Sequence, residues 1–79
     1  MTYFVYILLC QDGSYYTGST NDAEKRFKDH LEGRGARYTK SHKPVKIIYK
    51  EEFTSKSKAL KREAEMKSWT RKKKENMIQ

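Results

Sequence analysis

Apolar residues run almost without a break through YFVYILLC, Tyr3 to Cys10, and this β-branched and aromatic composition predicts a strand covered on both faces. The turn signal QDGS follows, and YYTGST then resumes the β-type composition, so the two runs predict an antiparallel hairpin. The period changes next. Asn21 stands where a helix N-cap belongs, with Glu24 as the other half of a capping box and Asp22 suited to the positive end of the dipole. Ala23, Phe27 and Leu31 recur every fourth residue as the buried stripe of that helix, which Gly33 and Gly35 end. After a polar, basic segment, Pro44 precedes VKIIYKEEF, where Val45, Ile47, Tyr49 and Phe53 share one face of a third strand. Thr54 or Ser55 can cap a second helix running from about Lys56 into the basic end of the chain.

The element order is therefore β-β-α-β-α. Two helices that must each bury a stripe against a short sheet imply an α+β fold, a three-stranded, mainly antiparallel sheet flanked by helices, with the strand order left open. In the second helix, about 100° per residue places Ala59, Leu60, Ala64 and Met66 on one arc, with Glu63 and Lys67 inside it. A carboxylate on a face that should be buried is costly unless it is paired or binds a metal. Glu63 and Lys67 are spaced for an i, i+4 salt bridge, and that is the simpler account of the two charges. Trp69 falls opposite the arc.

Composition changes the picture in two ways. The 79 residues make one small domain, residues 1–79, with 35% hydrophobic and 35% charged residues and a mean hydropathy of -1.06, so the core must be small. Eighteen Lys and Arg against ten Asp and Glu leave +8, which favours a polyanionic partner, nucleic acid above all. The basic C-terminal part, from about residue 70 to residue 79, carries Arg71, Lys72 and Lys73, and Lys67 precedes it. Arg34, Arg37, Lys40 and Lys43 form a second basic set after the first helix. Together they suggest a phosphate track that binds with little regard to sequence. The single Cys10 ends an apolar run and suits a packing role. The apolar run is too short to span a bilayer and has no basic segment ahead of it, so the expected location is cytoplasmic and no membrane partner is expected.

Four further residues carry candidate chemistry. Arg26 and His30 are four apart on the first helix, a pair that fits either an anion seated between them or a solvated basic edge. Tyr6 and Tyr16 lie in neighbouring strands, where tyrosines ordinarily serve as core residues with the hydroxyl at the rim. Gly18, two residues beyond Tyr16, permits a close approach or marks a bulge.

As an ordered set, FVY at Phe4 to Tyr6, YTG at Tyr16 to Gly18, Arg26, His30 and the helical Glu63 resemble the GIY-YIG nuclease superfamily, and within it the small single-domain bacterial proteins of the YhbQ type. The resemblance covers nearly the whole chain and extends loosely to Asn76 as a supporting residue. It departs at Phe4, Val5 and Thr17, which stand where the family name has Gly, Ile and Ile. It implies the GIY-YIG endonuclease fold and a nuclease that hydrolyses phosphodiesters in DNA or RNA with one divalent ion, Mg²⁺ or Mn²⁺, held by Glu63. It further implies that Arg26 offsets phosphoryl charge, that Tyr6 or His30 is the general base, and that Tyr16 bonds the phosphate or water. Many family members carry an appended DNA-binding domain that this chain is expected to lack, and a protein partner is one way in which targeting could be supplied. The rival expectations are a non-catalytic basic nucleic-acid-binding or adaptor module of the same fold, and a protein-interaction domain.

Overall fold

The structure, a computed structural model, describes residues 2–34 and 41–78. Strands β1 (Tyr3–Cys10) and β2 (Tyr15–Thr20) form the expected hairpin, with Phe4 paired to Thr20 and Leu9 to Tyr15. Its turn is closed by local chemistry. Asp12 accepts from the backbone N–H of Ser14 at 3.0 Å and from its hydroxyl at 2.6 Å, while Gly13 takes φ +84°, a conformation that suits glycine.

Strand β3 (Pro44–Phe53) pairs antiparallel to the other side of β1, so the sheet order is β2-β1-β3 and β1 is central. That explains the uninterrupted apolar run: Val5, Tyr6, Ile7 and Leu8 are all buried. Pro44 opens β3, where its missing N–H leaves no ladder bond unmade. The period-two pattern expected for β3 holds only in part. The pairing skips Ile48 between Tyr49 and Ile47 and skips Val45 between Lys46 and Pro44, two irregularities that reset which face each residue meets. Val45 is consequently exposed, whereas Ile48, Tyr49 and Phe53 pack against the core.

Helix α1 (Ala23–Leu31) is capped by Asp22, whose side chain accepts from the Lys25 N–H, and not by Asn21. The Thr20 hydroxyl accepts from the Asp22 N–H at 3.1 Å and so moves the helix start one residue along. Its buried positions are Ala23 and His30, and Leu31 is 43% exposed. The physical reason is phase: two steps of four residues drift about 80° around a helix, whereas one step of seven returns within about 20°. The same correction applies to α2 (Lys56–Lys67), which buries Ala59 and Met66, seven apart, and leaves Leu60 and Ala64 exposed.

Ser55 caps α2 as expected. The helix does not continue into the basic end, however. It stops at Ser68, whose hydroxyl donates to the Glu65 carbonyl at 2.6 Å, and Thr70 starts a separate α3 (Arg71–Ile78) by accepting from the Lys73 N–H at 3.2 Å. The observed order is β-β-α-β-α-α. No glycine or proline marks this break; two hydroxyl residues around Trp69 make it. Trp69 packs against the core with the Arg62 guanidinium 4.8 Å and the Lys73 ammonium 4.6 Å from its ring centre.

The two sides of the sheet differ. On one, Val5 and Ile7 meet Ala59 and Met66 in an apolar cluster that Tyr15, Trp69 and Ile78 border. On the other, the alternation of β1 directs Tyr6 towards His30 of α1.

Candidate active site

Tyr6 sits mid-strand in β1, directly across from Gly18 of β2. A Cβ at Gly18 would lie 2.6 Å from the Tyr6 hydroxyl oxygen, 2.8 Å from its Cζ and 3.1 Å from Cε2 of Tyr16. Glycine is therefore required here for close approach, with both tyrosine rings lying over its backbone. Of the two readings of Gly18, the structure takes this one; the hairpin register is unbroken at that point.

The Tyr6 hydroxyl and Nε2 of His30 are 2.9 Å apart in a buried hydrogen bond. The rings of Tyr6, Tyr16 and His30 form a three-membered aromatic cluster, with centroids 5.3 to 6.5 Å apart. His30 retains only 1% exposure, which overturns the solvated basic edge as the reading of its side chain. Burial, then the Arg26 charge, lower the His30 pKa against a smaller opposing effect of Asp29, so the imidazole is held neutral. Arg26, half-buried on α1, stands beside Tyr6, where its hydrogen bonding and charge favour the phenolate. Burial outweighs that help and pushes the Tyr6 pKa up to about 12.

Glu63 reaches the site from α2. Its Oε1 accepts from the Ser19 hydroxyl at 2.6 Å, and its Oε2 lies 2.8 Å from Nζ of Lys67. Burial alone would raise its pKa, but the bond from Lys67, the bond from Ser19 and the Lys67 charge together hold it below the usual carboxylate range. The salt-bridge reading of Glu63 and Lys67 is thus correct, and it coexists with membership of the site. Ser19 was not singled out from the sequence; its only signal is its place one residue after Gly18, which the register alone turns into a contact.

A groove of about 350 Å³ adjoins this cluster, lined by Tyr3, Ser19, Asn21, Arg26, Lys56 and Leu60 among others. Arg26 connects it to Tyr6, and Ser19 connects it to Glu63. Glu63 is a single carboxylate, and among the described residues no three or more His, Cys, Asp or Glu side chains gather to hold an ion. Glu63 is the residue that could hold a divalent ion, as a single hard oxygen ligand to a largely hydrated Mg²⁺ or Mn²⁺, and Lys67 occupies its Oε2 atom here.

The cations expected to contact nucleic acid divide. Arg34 is answered by Asp29 at 3.4 Å and by Glu32, both on or next to its own helix. Lys73 lies over Trp69, and Arg71 lies 4.3 Å over the ring of Tyr15 with its Nε donating to Glu75 at 2.9 Å. Lys43 and Lys72 are exposed, as is Asn76 on α3; Arg37 and Lys40 lie outside the described residues.

The comparisons with known proteins give the family. The GIY-YIG catalytic domain family matches residues 2–76, and the chain belongs to that family, a nuclease family. It is 52% identical over 77 residues to UPF0213 protein SERP0126 of Staphylococcus epidermidis, covering 98% of this chain and 94% of the relative. UPF0213 protein SAV0488 of Staphylococcus aureus is 49% identical over the same shares. Two solution structures are similar: UPF0213 protein BH0048 of Bacillus halodurans, with TM-score 0.63 and 44% identity, and protein EF2693 of E. faecalis, with TM-score 0.66 and 42% identity. Each covers 99% of this chain and 83% of the other. No helix among the described residues is long and apolar enough to cross a membrane.

Proposed function

We propose that this chain is a divalent-metal-dependent nuclease that hydrolyses phosphodiester bonds in nucleic acid, DNA foremost, with little sequence preference and in the bacterial cytoplasm. The observation that carries the reading is the convergence at Tyr6: His30 hydrogen-bonded to its hydroxyl, Arg26 beside it, Tyr16 against its ring. Glu63, ionised and within electrostatic reach, completes the set.

Tyr6 and His30 act as a unit. A tyrosine with a pKa of about 12 is a poor base at neutral pH by itself. A neutral imidazole at 2.9 Å can take the phenolic proton as the Tyr6 oxygen accepts one from the attacking water. His30 thus contributes by accepting a proton and not by adding positive charge. Arg26, facing the groove, offsets charge on the phosphoryl oxygens, a role its planar fork suits. Tyr16 orients the phosphate or water. Glu63 would hold Mg²⁺ or Mn²⁺, which when bound supplies charge stabilisation at the leaving oxygen. Lys67, Arg71 and Lys72 hold the nucleic-acid backbone.

One observation favours the rival binding module: Lys67 already neutralises Glu63, so the site is electrostatically satisfied without a metal. Cleavage of labelled single-stranded and duplex DNA and of RNA, with Mg²⁺, Mn²⁺ or EDTA, separates the two. The nuclease reading expects metal-dependent cutting that Glu63→Gln abolishes while binding persists. Equal binding with no cutting by either protein would leave the binding module as the function.

A further inference from the structure

Lys74 is the cation of α3 that the structure treats differently from its neighbours. It is half-enclosed, and among the described residues it forms no ion pair with any carboxylate. Burial and the charge of nearby Lys67 both push its pKa down, so it is a cation placed against another cation in a partly desolvated spot. Such an arrangement is unfavourable unless an anion joins it.

The space for that anion is present. The break at Ser68 to Thr70 starts α3 afresh and sets it against the β1–β2 turn, where Ser14, Tyr15, Arg71 and Lys74 line a notch of about 150 Å³. Arg71 is held in place there by Tyr15 beneath its guanidinium and by Glu75 on its Nε. Lys67 links the notch to the active site, since it pairs with Glu63 and also acts on both Tyr16 and Lys74 through its charge.

Resting on the nuclease reading, we propose that the notch between α3 and the hairpin turn is a phosphate subsite for the substrate strand, in which Lys74 and Arg71 hold a backbone phosphate remote from the scissile one. Lys67, Lys74 and Arg71 then form a track leading from Glu63 to the hairpin turn. Lys73, drawn over Trp69, lies off it.

The test measures binding of fluorescently labelled DNA and RNA oligonucleotides in EDTA, so that no cleavage enters, from about 50 to 200 mM salt. Loss of one phosphate contact lowers the slope of log K against log salt concentration by about one. Lys74→Gln and Arg71→Gln are each expected to lose about that much and Lys73→Gln clearly less, with Lys74→Arg restoring the wild-type slope. Amide resonances of Ser14 and Tyr15 are expected to shift on adding oligonucleotide to wild type and to stay in place with Lys74→Gln. Circular dichroism establishes that each variant is folded. If wild type binds but Lys74→Gln has an unchanged slope, the subsite is wrong and the nuclease reading stands. If wild type binds no oligonucleotide at all, both are wrong.

Discussion

The two faces of the sheet solve burial in opposite ways. Towards α2, Val5, Ile7, Ala59 and Met66 form an apolar cluster that needs no hydrogen bonds. Towards α1, β1 buries a tyrosine and a histidine, and their mutual hydrogen bond makes that burial tolerable. One face therefore supplies hydrophobic stabilisation, and the other holds the tyrosine and histidine proposed to move the proton, while Glu63 joins them from α2 by way of Ser19 on β2. The division is imperfect at Thr17, a buried residue of β2 opposite Ile7 whose Oγ1 finds no partner among the described residues.

The apolar face should be the more sensitive in stability. Met66→Ala deletes a fully buried side chain and is expected to cost about 2–5 kcal/mol, read from the urea midpoint. In a domain this small, that is a large share of the total. The polar face should lose activity before it loses its fold. Tyr6→Phe removes the buried hydrogen bond to Nε2 of His30 and is expected to cost about 1–3 kcal/mol by the same measurement. Its cleavage rate should fall about 10²–10⁴-fold. Gly18→Ala should resemble Tyr6→Phe in rate, because the new methyl group displaces the Tyr6 hydroxyl.

The pH dependence sharpens the contrast, since both titrating groups sit on the α1 face. Tyr6 ionises near 10 in the unfolded chain and at about 12 when folded, so its contribution is complete below about pH 10 and is lost as pH rises towards 12. The loss amounts to about 2–3 kcal/mol, and Tyr6→Phe should remove that component from thermal melts at alkaline pH. His30 behaves in the opposite sense. Its folded pKa is depressed, so its contribution is complete above about 6.5 and is lost as pH falls through the folded value. His30→Gln should flatten that part of the acid limb. The smallest effect belongs to the flaw on the apolar face: Thr17→Val removes the orphaned hydroxyl and should stabilise by about 1 kcal/mol. A lower melting temperature in that variant would mean that the hydroxyl has a partner after all.

Much of this architecture is legible in the sequence because its causes are local. The turn at Asp12 and Gly13, the cap at Ser55 and the ion pair of Glu63 with Lys67 each depend on residues a few positions apart. The ordered set of Tyr6, Tyr16, Gly18, Arg26, His30 and Glu63 is legible for a different reason: its likeness to a nuclease family rests on residue identity and order and needs no coordinates. The misreadings have physical causes as well. Leu31 and Leu60 looked buried because they are apolar, yet the seven-residue phase of each helix favours His30 and Met66. The break at Trp69 passed unnoticed because serine and threonine hydroxyls made it, without glycine or proline.

What the sequence determined by itself is therefore the kind and order of the first elements and the identity of the candidate residues, since propensity, capping and turn chemistry act over a few positions. Only the tertiary structure decided that β1 is central, that β3 carries two irregularities, that His30 is buried neutral on Tyr6, and that Ser19 reaches Glu63. Those features arise between segments far apart in the chain. Their energies depend on register and desolvation, which exist only once the sheet and its helices have come together.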